Sequence, residues 1–391
     1  MDNSAGPPSH SGFFRIQISA GVVLLALLIS SILIFNLHPP MRDFEVNHTA
    51  GKRMRLGETV YRVEDEHYMF KYLPPAAFLY VPLASLPLDF AKSIWFLLTI
   101  AALAGIVYLS RKLLPPGKGS HVWWLPVVIL AKFYFREIEL GQINAMVTAV
   151  LLGMLLLLNQ SRRPIKRQAG AGCAWGLAVS MKPYSFIFFP YWVVKKHIIP
   201  LAAGLLFILS ALFWPACYYG FKGNFVVLKE WFATLSASTP LLLSSQDNVS
   251  LPAFFTKICG TPGRGFFPAL AGILILAGLV LWIIYRGKSL SRPAVLEGGV
   301  ILTCIPLVSP LGWDYTFISA TLGIMTTVYF FNHYPRPARI ILGANFAVIG
   351  LSLYDLMGPQ GYSSFMNWSV LTVNFLILTG YLAYLRFKKI Y

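Results

Sequence analysis

Asp43 and Lys182 stand out in this chain because each interrupts or adjoins sequence otherwise suited to lipid. Asp43 follows His38-Pro39-Pro40, a few residues past the first apolar run. A carboxylate there could act as a general base toward a hydroxyl arriving from outside, or pair with Arg42 or Lys52 as a solvated juxtamembrane acid. Lys182, in Met181-Lys182-Pro183, has no acid near it in sequence. Its cation suits a phosphate held at headgroup level, while the bland alternative is a snorkelling lysine. Gln142 and Asn144, in Gly-Gln-Ile-Asn, could bond sugar hydroxyls or join helices to one another. Arg136, Glu137 and Glu139 crowd the same span end, where the acids are expected to cap it and pair with Arg136. Asp314 could bond a hydroxyl or pair with Lys182, and Trp313 could stack on a sugar ring or serve as a belt aromatic. Asn248, in Gln246-Asp247-Asn248, is equally open.

The elements that must hold these residues are membrane helices. Hydrophobic residues make up 57% of the 391 and charged residues 12%, far from the balance of an ordinary globular chain. Apolar runs of about 20 residues recur from the first span onward, enough to cross about 30 Å of hydrocarbon. They are continuous rather than alternating, which excludes a transmembrane β-barrel. The fold expected is therefore all-α and polytopic, in a single integral membrane domain covering 1–391.

Basic clusters at Arg111/Lys112/Lys118, Arg162/Arg163/Lys166/Arg167, Lys195/Lys196, Arg286/Lys288/Arg292, Arg336/Arg339 and Arg386/Lys388/Lys389 mark the cytoplasmic loops. Counting from them gives about twelve spans with both termini inside. The first span covers about 17–37, and others fall near 121–137 and 143–160. Pieces at 169–182 and 184–195 flank Pro183 as a broken hairpin. A long first extracytoplasmic loop runs over 38–89, and its stretch 42–75 carries six of the chain's fifteen acidic residues. Within it Phe44–Leu56 reads as a short interfacial helix stopped by Gly57, and Pro74–Leu86 as a second, too short to span. A second large extracytoplasmic loop covers 220–265. On this topology Asp43, Glu137, Gln142, Lys182, Asn248 and Asp314 all gather at the outer leaflet.

Several functions are set aside. The net charge of +17 is topological, so no nucleic-acid partner is expected. The four cysteines lack metal-ligand spacing, and no phosphate-binding loop or nucleophile elbow occurs. No metal or cofactor is therefore expected. Cys173 and Cys304 read as small core residues, and Cys217 and Cys259 as a possible outer-face pair.

In order along the chain come Asp43-Phe44, Gly57-Glu58-Thr59-Val60-Tyr61, Phe70-Lys71-Tyr72-Leu73-Pro74-Pro75, Gly141-Gln142-Ile143-Asn144, Lys182-Pro183, Asn248-Val249-Ser250-Leu251 and Ser309-Pro310-Leu311-Gly312-Trp313. This series resembles glycosyltransferase family 87, polyprenol-phosphate-mannose-dependent mannosyltransferase-like proteins of the GT-C class. The resemblance implies transfer of a hexose, mannose above all, from a polyprenyl-phosphate carrier to a hydroxyl of a glycolipid or glycan acceptor. Transfer would be an inverting single displacement on the outer side of a cell membrane; the Asn47-His48-Thr49 sequon beside Asp43, an awkward glycan site in a lumen, favours a bacterial plasma membrane. The resemblance casts Asp43 as base and Lys182, with Lys71, as the phosphate contact. Tyr72, Gln142, Asn144, Asn248, Trp313 and Asp314 are the pocket candidates. The family often carries histidines after the Ser-Pro-x-x-Trp piece, where this chain has Asp314-Tyr315-Thr316, so no role passes from those histidines. The rival readings are a transporter or flippase of a lipid-linked or small polar substrate, and a non-catalytic subunit of an envelope assembly.

Overall fold

The computed structural model describes residues 40–159, 164–286 and 293–390. The first expected span, at about 17–37, lies outside the described residues, as do Arg162, Arg163, Lys288 and Arg292 of the basic clusters. All regular structure among the described residues is helical. Its first half comprises α1 (Arg42–Arg55), α2 (Pro74–Ala84), α3 (Leu88–Leu113), α4 (His121–Ile129), α5 (Ala131–Leu140), α6 (Asn144–Leu158), α7 (Ile165–Met181) and α8 (Phe189–Val194). The second half comprises α9 (Ile198–Leu212), α10 (Ala216–Leu242), α11 (Leu251–Cys259), α12 (Pro262–Tyr285), α13 (Pro293–Val308), α14 (Thr321–Tyr329), α15 (Arg336–Leu351), α16 (Tyr354–Asn367) and α17 (Val370–Phe387).

The protein is a helical membrane protein. Among the described residues, α3, α12 and α17 are long and apolar enough to cross a bilayer. Three further spans are possible if each bent pair counts as one: α5 with α6 (120°), α9 with α10 (92°) and α15 with α16 (100°). That makes three to six candidate spans, against the twelve expected from the apolar runs. Part of the difference is that the first expected span lies outside the described residues and that others, such as α13, are shorter helices; part comes from breaks within expected spans. The run at 121–137 divides at Leu130 into α4 and α5, and the piece at 184–195 is a 3-10 turn (Pro183–Phe188) followed by the short α8. The 220–265 segment is mostly helix, being taken up by α10, α11 and the start of α12.

The two short helices expected over 44–56 and 74–86 form as α1 and α2. α1 carries Asp43 and Glu45 in its first turn and Lys52, Arg53 and Arg55 in its last. That arrangement suits the helix dipole at both ends, and Gly57, at φ +69°, ends the segment. α2 opens with Pro74 and Pro75, whose fixed φ and missing N–H cost nothing in a first turn. Its 11 residues reach about 16 Å, half of a hydrocarbon core.

α1 rests on an aromatic layer. Phe44 stacks on Trp95 with centroids 5.2 Å apart, and Tyr80 meets Trp95 at 5.0 Å. Gly51 lets α1 approach α2, because a Cβ there would lie 2.9 Å from the Tyr80 backbone. α7 and α9 also pack closely. A Cβ on Gly172 would stand 2.2 Å from the Pro200 carbonyl oxygen, one on Gly176 2.9 Å from that of Gly204, and one on Gly204 2.4 Å from the Trp175 ring. Gly172 and Gly176 are four apart, on one face, as in small-xxx-small membrane contacts. Cys173, one residue on, turns away from this contact and is exposed rather than core, whereas Cys304 is buried. Cys217 and Cys259 are free thiols, not a pair.

Gly172→Val should force α7 and α9 apart and cost about 1–3 kcal/mol by overpacking. A thermal melt of detergent-purified protein, read by the monodisperse fraction on gel filtration, checks this, with the exposed Cys173→Val as the comparison expected to melt like wild type.

Candidate active site

The site is built on the bend between α5 and α6. Gly141 follows α5 with φ +65°, a conformation glycine adopts without steric cost. Its N–H donates to the Ile138 carbonyl at 3.1 Å, and the Gln142 N–H donates to the Glu137 carbonyl at 3.0 Å. That bond pair is the Schellman ending of a helix. No side chain fits at position 141, where a Cβ would lie 2.8 Å from that of Phe44. The Gly141 carbonyl accepts from the Trp95 indole at 2.8 Å, so the turn is locked to α3. Gln142 is thereby delivered to a fixed place.

The opposite wall starts with α1. Met41, buried, enters the helix with φ 47° and donates its N–H to the Glu139 carbonyl at 2.9 Å. A non-glycine residue held there stores about 1–3 kcal/mol of strain. This contact sets the first turn of α1 against the last turn of α5 and brings Asp43 to Gln142. The Gln142 amide donates from Nε2 to Asp43 Oδ2 and to the Tyr315 hydroxyl at 3.2 Å. Its Oε1 accepts from the Tyr72 hydroxyl at 3.0 Å and from Lys182 Nζ at 3.3 Å. One amide therefore joins the candidate base to the candidate phosphate contact.

Lys182 is extended, at the end of α7 and before Pro183, as a residue preceding proline prefers. It is buried, 6% exposed. Its ammonium donates to Asn144 Oδ1 at 2.7 Å as well as to Gln142, and lies over the Tyr72 ring at 4.9 Å. An ammonium has three donors, so one remains for a ligand. Asn144 Oδ1 also accepts from Tyr184 at 3.0 Å, and its Nδ2 donates to Glu137 Oε2 at 2.8 Å. The other Glu137 oxygen accepts the Ala145 N–H at 2.7 Å, capping the first turn of α6.

Glu137 thus departs from the expected pairing. Arg136 binds Glu139 at 2.7 Å, while Glu137 turns inward, wholly buried. Asp43 takes Gln142 rather than Arg42 or Lys52, and Lys182 takes the two amides rather than Asp314.

These groups line one end of a cavity of about 830 Å³. Asp43, Lys71, Tyr72, Gln142, Lys182 and Trp313 all face it. Apolar side chains line it as well, among them Phe186, Phe189, and Leu235 and Leu242 of α10, together with the polar Arg136, Thr239, Ser245 and Asp247. Lys71 is half-buried, and its ammonium is held below the usual lysine range by burial, against the opposing pull of Asp43.

Three expected pocket residues stand behind the wall. Asn144 holds Lys182. Asn248 Nδ2 donates to the carbonyls of Leu242 (3.1 Å) and Pro310 (2.9 Å), and its Oδ1 accepts the Ser250 N–H (3.1 Å). It ties the end of α10 to the loop that carries Trp313, which pairs with it across an isolated bridge. Asp314 accepts from its neighbour's N–H at 2.8 Å, and burial raises its carboxyl to about 6. Tyr184, Tyr315 and the inward role of Glu137 were not foreseen. A hydroxyl beside Lys182-Pro183 was a signal for Tyr184. Nothing local marks Glu137, whose partners lie seven and eight residues on, across a tight turn.

The sequence matches glycosyltransferase family 87 over residues 70–310, more than half of the chain. The matched stretch holds Gln142, Asn144 and Lys182, while Asp43 precedes it. No curated protein and no solved structure matches the chain.

Asn144→Leu should strand the Glu137 carboxylate and the Lys182 ammonium together, costing about 3 kcal/mol or more. The expected result is a lower melting temperature in detergent, with Asn144→Asp also destabilised because a second carboxylate would meet Glu137.

Proposed function

The chain belongs to glycosyltransferase family 87, and we propose that it moves a hexose, mannose first among candidates, from a polyprenyl-phosphate carrier to an acceptor hydroxyl on the extracytoplasmic side of a cell membrane. The observation that carries this is the single amide of Gln142 touching both Asp43 and Lys182 in a cavity that is also lined by Phe186, Phe189, Leu235 and Leu242. A lipid-phosphate sugar has both a charged group and an apolar chain to place. Its chain would lie among Phe186, Phe189, Leu235 and Leu242, its phosphate at Lys182 and its sugar toward Trp313.

The reaction is one displacement. Asp43 has one carboxylate oxygen engaged by Gln142, and the other takes the proton of the acceptor hydroxyl. The acceptor oxygen forms its bond to the sugar's anomeric carbon from the face opposite the phosphate, and the bond from that carbon to the phosphate oxygen breaks. The electron pair leaves with the polyprenyl phosphate, and configuration inverts. The third N–H of Lys182 faces the oxygen that gains charge, and Lys71 adds a second cation nearby. Donors fixed in a buried site stabilise such charge more than they would in water. Tyr72 and Tyr315 keep the Gln142 amide in one orientation throughout.

The topology we propose for this chemistry keeps the sequence-based arrangement: a single membrane domain of about twelve spans, both termini inside, with α1 and α2 in the outer loop. The donor, the acceptor and the bilayer are its partners.

Sugar transfer from polyprenyl-phosphate mannose to a lipid extract, measured with detergent-purified protein, should fall about 10²–10⁴-fold in Asp43→Asn. Lys182→Gln should lose turnover and donor affinity together, while both variants keep the wild-type melting profile within a few degrees. Equal transfer by wild type and Asp43→Asn would remove Asp43 from the mechanism.

A further inference from the structure

Beside the main cavity lies a second one, of about 480 Å³, within the size range of ligand pockets. One wall is a single face of α1. Arg42, Glu45, Val46, Thr49 and Arg53 recur at the three- and four-residue spacing that aligns side chains on a helix. The other wall is Asp65, Tyr68 and Phe70. Val46, Tyr68 and Phe70 also line the main cavity, so the two spaces share a partition. Asp43 lies on the main side of it, and its neighbour Arg42 on the other.

The polar groups of this cavity are held in place. Arg53 forms a two-pronged pair with Asp65, the second contact at 2.9 Å. That guanidinium keeps the Asp65 carboxyl below its ordinary range, so it is ionised at neutral pH. Glu45 is bound by Lys92 at 2.5 Å, and Arg42 donates to the Tyr68 hydroxyl at 3.0 Å. Two arginines face two carboxylates, so the lining carries no net charge and gives an anion no preference. Fixed donors and acceptors side by side suit the neighbouring hydroxyls of a sugar. The Val46 and Phe70 side chains and the Tyr68 ring offer an apolar surface to its C–H face.

We propose that the inner sugars of the acceptor bind here, so that the acceptor is an uncharged glycan longer than one sugar, whose end hydroxyl reaches past Tyr68 to Asp43. This rests on the transfer reaction above and narrows its acceptor.

The test needs no turnover. Saturation-transfer NMR on the detergent-purified full chain would be run with the methyl glycosides of mannose, glucose and galactose and with the corresponding methyl disaccharides. At least one disaccharide is expected to give contacts from both rings and to bind about tenfold more tightly than its monosaccharide. That advantage should vanish in Thr49→Trp, which fills the second cavity from an exposed helix position, and shrink in Arg42→Gln, which keeps the side chain's bulk. Lys182→Gln, in the main cavity, is the comparison. A disaccharide signal lost in Lys182→Gln yet intact in Thr49→Trp would overturn the proposal, as would the absence of any disaccharide advantage in wild type. Failure of every polyprenyl donor in the transfer assay would count against the reaction alone and leave this binding result standing.

Discussion

A carboxamide has an accepting end and a donating end, and it can serve a carboxylate and an ammonium at once only if it is pinned. Gln142 is pinned by backbone geometry before any side chain acts. The left-handed turn at Gly141 ends α5, the Trp95 indole holds its carbonyl, and α6 departs at 120°. From that point Asp43, Lys182, Tyr72 and Tyr315 acquire their places. The first turn of α1 is docked to the same helix end through Met41. Were the bend straightened into one span, Gln142 would face a neighbouring helix and the cavity would lose its polar end.

The polar end is also a way of burying charge without direct ion pairing. Glu137 and Lys182 are both buried, yet Asn144 stands between them, and Gln142 stands between Lys182 and Asp43. Each charge keeps hydrogen bonds that offset its desolvation, and neither is spent on a direct salt bridge. The arrangement contrasts with Arg53 and Asp65, or Lys195 and Glu297, which meet directly at the periphery of the site or far from it. Outside the polar end the wall is closed by backbone ties, with Asn248 joining the end of α10 to the Trp313 loop.

Much of this was legible in the chain. Asp43, Gln142 and Lys182 announced themselves as polar groups beside apolar runs, where retention needs a cause. The helices at 42–55 and 74–84 were legible because end charges and paired prolines are local signals. The turn near Gly141 was expected between the spans near 121–137 and 143–160, but the break at Leu130 was not, since a hydropathy window reads through it as continuous apolar sequence. Asn248 shows a second limit. An amide in a loop looks the same whether it will bond a ligand or, as here, three backbone groups. Cys173 shows a third, because apolar surroundings in a membrane chain do not separate the core from the lipid-facing side.

Among the described residues no carboxylate lies within ion-pair distance of Lys182. On the proposed chemistry, its counter-ion is the substrate itself. The donor carries its phosphate as a diester with one negative charge, whereas the spent carrier is a monoester that takes on more charge as its second proton leaves. A site that attracts the first must hold the second more firmly. The pace of the cycle then depends on how fast the used carrier escapes sideways into the bilayer, and less on how fast the glycosidic bond is made. Lowering the pH toward the monoester's second pKa, about 6, would loosen that grip by protonating the carrier.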